Sequence, residues 1–375
     1  MKTIHIFKVI GTLLLISLVT NCSIQNKSIQ NEKRISIKNF NGIIVPTDSI
    51  DSFLQSKMTE QNIPGLSIAI INDSKVVYHK TSGYANKEKK LPVTNKTIFE
   101  GASISKSVFA SFVMTYVEEG KLDLDKPLYQ YLPYPDIEYD DRYKKITARI
   151  VLSHRSGFPN WRENEKDKKL ILKFEPGTSY EYSGEGYQYL AMVLKHIGGT
   201  DWNGLETTFQ KKIANPLGLE HTTFIEDSYT MENKAEPYKN NGEWIDWKNE
   251  YWYKKDKGIF VPAASIRTEP IDFSKWMIDM MNKKLLTKNS YKELFKHHST
   301  LSPPEAETQL YYTLGFTTAN DPFTTAYFHG GTNDGFTCFY FMDTSKKWGY
   351  VLFTNSEYGE TLGYRLLDYL AKENY

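Results

Sequence analysis

Beyond about Thr47 the chain switches between two spacings of apolar residues. In DSIDSFLQSKMTEQNI they recur at helical spacing, and Pro64-Gly65 stops the run. LSIAIINDSKVVYHKTSGYA then holds two β-rich runs around the turn NDSK, a hairpin signature. LPVTNKTIFEGA reads as loop and short strand leading into EGASISKSVFASFV. There Val108, Phe109, Phe112, Val113, Tyr116 and Val117 form a stripe at helical period, ended by Gly120, which predicts a deeply buried helix.

From about residue 121 to 270 the pattern is loops with scattered helices. ITARIVLSHRSGF, GEGYQYLAMVLKHIGG and GLETTFQKKIANPLGL carry helical stripes, the last two stopped by a Gly pair and by Pro-Gly. The final third is β-rich in TAYFHGG, FTCFYFM and WGYVLFTNS, and GETLGYRLLDYLAKENY closes the chain as an amphipathic helix. Strands at both ends with a helical middle predict an α/β (α+β) domain, 43–375, whose single sheet is built from both termini. The sheet lobe is expected at about 43–112 and 271–375, with a mostly helical lobe, 113–270, inserted between.

The segment before this domain has another character. Lys2 and Lys8 flank the start of the apolar run VIGTLLLISLV, which is too short to span a bilayer, and small polar residues follow. Residues 1–21 read as an export signal. Cys22 resembles the acylation site of bacterial lipoproteins, although Asn21 stands where Gly, Ala or Ser is usual; a simply cleaved signal is the alternative. Acylation implies a lipid-anchored protein of the bacterial cell envelope, facing the periplasm or the cell surface. SIQNKSIQNEKR has few groups to bury, so 22–42 is expected to be a flexible tether. Cys338, the only other cysteine, lies in an apolar strand-like run and reads as a buried, inert thiol.

Composition narrows the function. The 46 Lys+Arg balance 45 Asp+Glu, which argues against a nucleic-acid partner. The 26 tyrosines read as core and cleft packing before a sugar-binding surface. No G-x-S-x-G elbow, H-E-x-x-H or Walker loop is present, and His297-His298, adjacent on an expected helix, point apart. No metal or cofactor is expected.

Ser103 and Lys106 form S-x-x-K, of which roughly one or two chance matches occur in a chain this long. Their context adds weight. One turn apart at a helix start, both side chains project from one face, and the Ser103 amide is offered to an anion. A lysine entering a buried helix is desolvated, which lowers its pKa and frees some of it as a neutral base. Ser105 and Ser107 lie off that face, where a cap or local hydrogen bond is expected. Alone, the pair reads equally as catalysis or as a capped helix start. Tyr182, Ser183 and Gly184 lie in a turn opening a second helix. A third element, YFHGGTNDGF, ends a strand in His329-Gly330-Gly331-Thr332, where glycines admit a ligand close to the backbone.

In that order, S-x-x-K, Y-S-x and H-x-G resemble the serine penicillin-recognising family. Its members include class C β-lactamases, D-Ala-D-Ala carboxypeptidases, D-aminopeptidases and family VIII esterases. VTNKTIFEGASISK, LSHRSGF, ANPLGLEHT, GIFVPAASIRTEPIDFSKW and VLFTNS resemble segments of that family in their usual order. The resemblance implies a β-lactamase/transpeptidase-like fold with an antiparallel sheet flanked by helices. It also implies roles: Ser103 acylated, Lys106 holding or taking its proton, Tyr182 shuttling protons, and His329 in place of the K-T-G lysine. The amides of Ser103 and Thr332 would form the oxyanion hole, with Gly330, Gly331 and Gly184 along the substrate. As residues alone, a packed phenol is the alternative for Tyr182 and a simple loop histidine the alternative for His329.

Two departures bear on substrate. Gly184 replaces the asparagine of Y-x-N, leaving Glu185 or a water to serve instead. His329 replaces a lysine and is largely neutral near pH 7 when unperturbed. The expected function is an exported serine hydrolase acting through an acyl-enzyme on a small-molecule ester or amide, or on a peptide. The alternatives are a peptidoglycan DD-carboxypeptidase or β-lactamase on the same residues, and a non-catalytic binding or sensor protein of this fold.

Overall fold

The computed structural model describes residues 36–306, 308–319 and 325–373. Nine antiparallel strands form the sheet. From edge to edge they run Leu91–Pro92, Lys75–Asn86, Gly65–Asn72, Trp348–Thr354, Phe336–Asp343, Ala326–Asn333, Thr317–Ala319, Leu310–Tyr312 and Ser299–Thr300. Both ends of the chain thus share one sheet, as the pattern predicted. The first hairpin turns at Asp73 and Ser74, both at positive φ (50° and 57°), the requirement of a type I′ turn.

The three central strands are buried at every position because helices cover both faces. Alternate residues sort to opposite sides. Leu66, Ile68, Ile70, Phe339, Tyr350 and Leu352 meet Ile50, Leu54 and Met58 of helix Thr47–Glu60 and Leu362, Leu366 and Leu370 of helix Gly359–Leu370. Ala69, Ile71, Tyr340, Val351 and Phe353 face the larger core with helices Ser105–Glu118 and Pro270–Asn282. Each buried Leu, Ile or Phe contributes about 1.5–3 kcal/mol.

Three expectations need correction. Ordered structure begins inside the segment read as tether: Ser36–Lys38 pairs with Ile44–Pro46, Ile37 is buried, and the Phe40 amide bonds the Leu370 carbonyl at 3.0 Å. Polar composition concealed a short strand held by its neighbours; residues 1–35, Cys22 included, lie outside the described residues. The helix in ITARIVLSHRSGF is only Ala148–Leu152, because His154 turns the backbone to φ 56°. His297 and His298 sit beyond helix Lys288–Leu294, with the His298 amide on the Tyr312 carbonyl at 3.0 Å.

Candidate active site

Ser103 lies in a 3₁₀ turn, Ala102–Ile104, at the entrance of helix Ser105–Glu118. The turn is tied to a distant segment. Phe99–Glu100 pairs with Arg267–Thr268, the Gly101 amide donates to the Ile266 carbonyl at 2.7 Å, and the Ile266 amide to Ser105 Oγ at 3.0 Å. Ser107 Oγ donates to the Gly315 carbonyl at 2.6 Å and accepts from the Tyr340 hydroxyl at 2.7 Å. The flanking serines are therefore anchors, whereas the Ser103 hydroxyl is left to meet Lys106.

Lys106 is 1% exposed, and its Nζ lies 3.2 Å from Ser103 Oγ and 2.8 Å from the Ala263 carbonyl. The ring of Tyr182 is 4.5 Å away, centroid to Nζ. Among the described residues no carboxylate pairs with Lys106, so nothing repays the desolvation of an ammonium. Burial holds its pKa well below the ordinary lysine value.

His329 sits on strand Ala326–Asn333, its ring 6.1 Å from that of Tyr182. Its Nδ1 is 2.6 Å from the Gly330 carbonyl, which can only accept, so the proton is on Nδ1. Nε2 then accepts from the Tyr312 hydroxyl at 3.1 Å. With both nitrogens satisfied and the ring buried, its pKa is lowered to about 4, by desolvation first and by Lys106 second. Gly331 pairs with Cys338. A Cβ at Gly331 would stand 2.7 Å from Cys338 Sγ and 2.9 Å from the Ser103 amide nitrogen, so glycine is what lets this strand lie against the nucleophile turn. Cys338 is buried behind it, its thiol on the Gly101 carbonyl. Thr332 follows and is exposed toward the cleft.

At the third element, Ser183 caps helix Gly184–Ile197 by accepting the Gly186 amide. A Cβ at Gly184 would meet the Asn160 carbonyl and the Trp161 ring, each at 2.8 Å. Loop 159–161 thus fills the space where an asparagine side chain would begin. Glu185 does not replace it, because both its oxygens are taken by Arg162 at 2.7–3.1 Å. Sequence reasoning missed Asn160, and it quoted His154 only within LSHRSGF; its ring packs 4.2 Å from that of Tyr182. A histidine before Arg-Ser-Gly was the available signal.

Beside this cluster a cavity of about 460 Å³ is bounded by Thr332, Ala264, Trp161, Phe224, Trp252 and Val261. Two of its cations, Lys255 and Arg267, are already paired with Glu163 and Glu226. Beneath it Glu100 and Lys234 form a buried pair at 2.5 Å, with Asn333 donating to the second Glu100 oxygen at 2.6 Å.

Fold and cluster together resemble the β-lactamase-like serine hydrolase family. Residues 50–373 match the family model described as Beta-lactamase, and the chain belongs to that family. It is similar to Protein flp of Staphylococcus aureus (strain MW2), 27% identical over 331 residues, covering 82% of this chain and 63% of that protein. The chain therefore spans less than two thirds of that relative's length. A shorter stretch of 125 residues is 36% identical to the serine beta-lactamase-like protein LACTB, mitochondrial, of Bos taurus, covering 33% of this chain and 22% of that protein. Among solved structures, the octameric penicillin-binding protein homologue from Pyrococcus abyssi aligns with TM-score 0.70 at 23% identity, over 85% of this chain and 77% of that one. D-alanine carboxypeptidase AmpC from Burkholderia cenocepacia aligns with TM-score 0.69 at 19% identity, over 86% and 98%. At these identities the two structures show the fold alone.

Proposed function

We propose that this protein hydrolyses neutral esters or amides through an acyl-enzyme on Ser103. The observation that carries the reading is Lys106, a buried amine with no carboxylate partner among the described residues, 3.2 Å from the Ser103 hydroxyl. In its neutral form it keeps an N–H on the Ala263 carbonyl and presents its lone pair to the hydroxyl proton. Ser103 Oγ attacks the substrate carbonyl as its proton passes to Lys106, and the amides of Ser103 and Thr332 receive the oxyanion. Tyr182, against Lys106, relays the proton to the leaving group. Water then attacks the acyl carbonyl, and the displaced Ser103 oxygen recovers a proton.

Neutral substrates are favoured because His329 is hydrogen-bonded on both nitrogens and uncharged near pH 7, so it offers a carboxylate no cation. The aromatic side of the cavity, Trp161, Phe224 and Trp252, offers an uncharged acyl or leaving group a packing surface within an otherwise mixed, partly charged lining. A fluorophosphonate probe should label the protein, with the adduct on Ser103 by mass spectrometry; equal labelling of Ser103→Ala would refute the assignment. Comparing kcat/KM for p-nitrophenyl butyrate and nitrocefin at pH 7 tests the substrate class. A much higher nitrocefin value would favour the β-lactamase alternative. We also propose attachment to a membrane through lipid on Cys22, which incorporation of a labelled fatty acid would test.

A further inference from the structure

The imidazole of His154 takes no part in the chemistry above, yet this residue, by its main chain and its ring, grips the chain on both sides of Tyr182. Its main-chain carbonyl accepts the Glu181 amide at 2.9 Å, and its ring Nδ1 accepts the Ser183 amide at 3.0 Å. Between those two amides its ring lies against the Tyr182 ring, centroids 4.2 Å apart. Since Nδ1 accepts, the neutral ring carries its proton on Nε2, which is buried without a partner among the described residues.

The ring has little freedom to leave this place. It is fully buried and packs on Tyr312 at 4.6 Å and on Tyr187 at 5.1 Å. Its backbone holds φ 56°, a region that non-glycine residues seldom adopt and that leaves helix Ala148–Leu152 just behind. Strain and an unpaired buried N–H both cost stability, so packing alone does not account for this residue.

We propose that His154 is the positioning residue for Tyr182, holding the phenol beside Lys106 by fixing the backbone on both of its flanks. The inference rests on Tyr182 acting as proton relay. Burial disfavours protonation of His154 and so keeps Nδ1 available as the acceptor.

The test uses substitutions that separate the acceptor from the ring. In His154→Asn, Oδ1 falls where Nδ1 was and asparagine tolerates positive φ, so this variant should stay within about fivefold of wild type. His154→Leu removes the acceptor, and kcat for p-nitrophenyl butyrate should fall on the order of 100-fold with KM little changed, as a small misplacement of a reacting group does. In a Tyr182→Phe background the same Leu change should cost less than about threefold, because the group it positions is already gone. Should His154→Leu show no cooperative melting, His154→Gly takes its place, since glycine accepts this backbone without strain. Equal losses in the Asn and Leu variants, an unchanged kcat in both Leu and Gly, or additive losses in the Tyr182→Phe background would overturn the proposal. If Ser103→Ala also kept full activity, the hydrolase reading would fail as well; if that variant were dead, only the role of His154 would fall.

Discussion

Replacing Lys106 by arginine tests the chemistry most directly. The site holds the amine at 1% exposure, with one carbonyl and one hydroxyl as partners and no carboxylate among the described residues. Lysine tolerates this by giving up its proton; arginine cannot, since its pKa stays above about 12 in proteins. A buried, unpaired guanidinium should destabilise the fold by about 3–5 kcal/mol. Loss of a general base removes about 100- to 10,000-fold in rate, or roughly 3–5 kcal/mol of transition-state stabilisation. The control is Lys106→Met, close in volume and uncharged. It leaves the Ala263 carbonyl without its donor at about 1–3 kcal/mol, yet should melt well above the Arg variant. Single-turnover hydrolysis of p-nitrophenyl butyrate reads the chemistry, and thermal melting reads the fold. In the wild type, activity should fall as pH drops through the lowered Lys106 pKa, because only the neutral amine is a base. An arginine variant with most of its activity would show that a fixed charge suffices, and the neutral-lysine mechanism would be wrong.

Carboxylate-bearing substrates should gain on neutral esters only as pH approaches about 4, where His329 takes up a proton; a gain centred near 6.5 would show the ring to be solvated instead of buried. The same depressed value costs stability in acid: the unfolded histidine protonates below about 6.5 and the folded one does not, so up to roughly 3 kcal/mol should be lost between pH 6.5 and 4. Melting curves of wild type and His329→Gln across that window measure it, with a flatter profile expected for the variant. Gly331→Ala should lower kcat sharply and cost about 1–3 kcal/mol, because its Cβ would press on Cys338 and the Ser103 amide. Lys234→Met strands Glu100 as a buried charge and should cost about 3–5 kcal/mol in denaturant unfolding; a variant as stable as wild type would contradict the pairing.

Much of the scaffold was readable from periodicity alone. Runs of seven residues or more announced the central strands and the long helices, because a 2.0 or 3.6 repeat needs that length to show. Thr317–Ala319, Leu310–Tyr312 and Ser299–Thr300 were not foreseen: two or three residues carry no period, and only successive pairing outward from Ala326–Asn333 makes them strands. Ser36–Lys38 escaped notice for the same reason.

Ser103 and Lys106 could be placed from sequence because their separation is one helical turn, a distance set by the backbone itself. What the amine does there is a tertiary matter. Its carbonyl partner, Ala263, comes from 157 residues away, and its loss of solvent comes from rings and strands the helix cannot supply. His329 shows the same division. Its position at a strand end was legible, but its tautomer follows from the Tyr312 hydroxyl and the Gly330 carbonyl, and its depressed pKa from burial in the folded sheet beside Lys106. Gly184 read as a missing asparagine; folding shows instead a position where Asn160 and Trp161 leave no room for any side chain. Local spacing is written in the chain because bond geometry enforces it. Solvation and long-range contact are properties of the packed whole, and in this protein they decide which proton the nucleophile can lose.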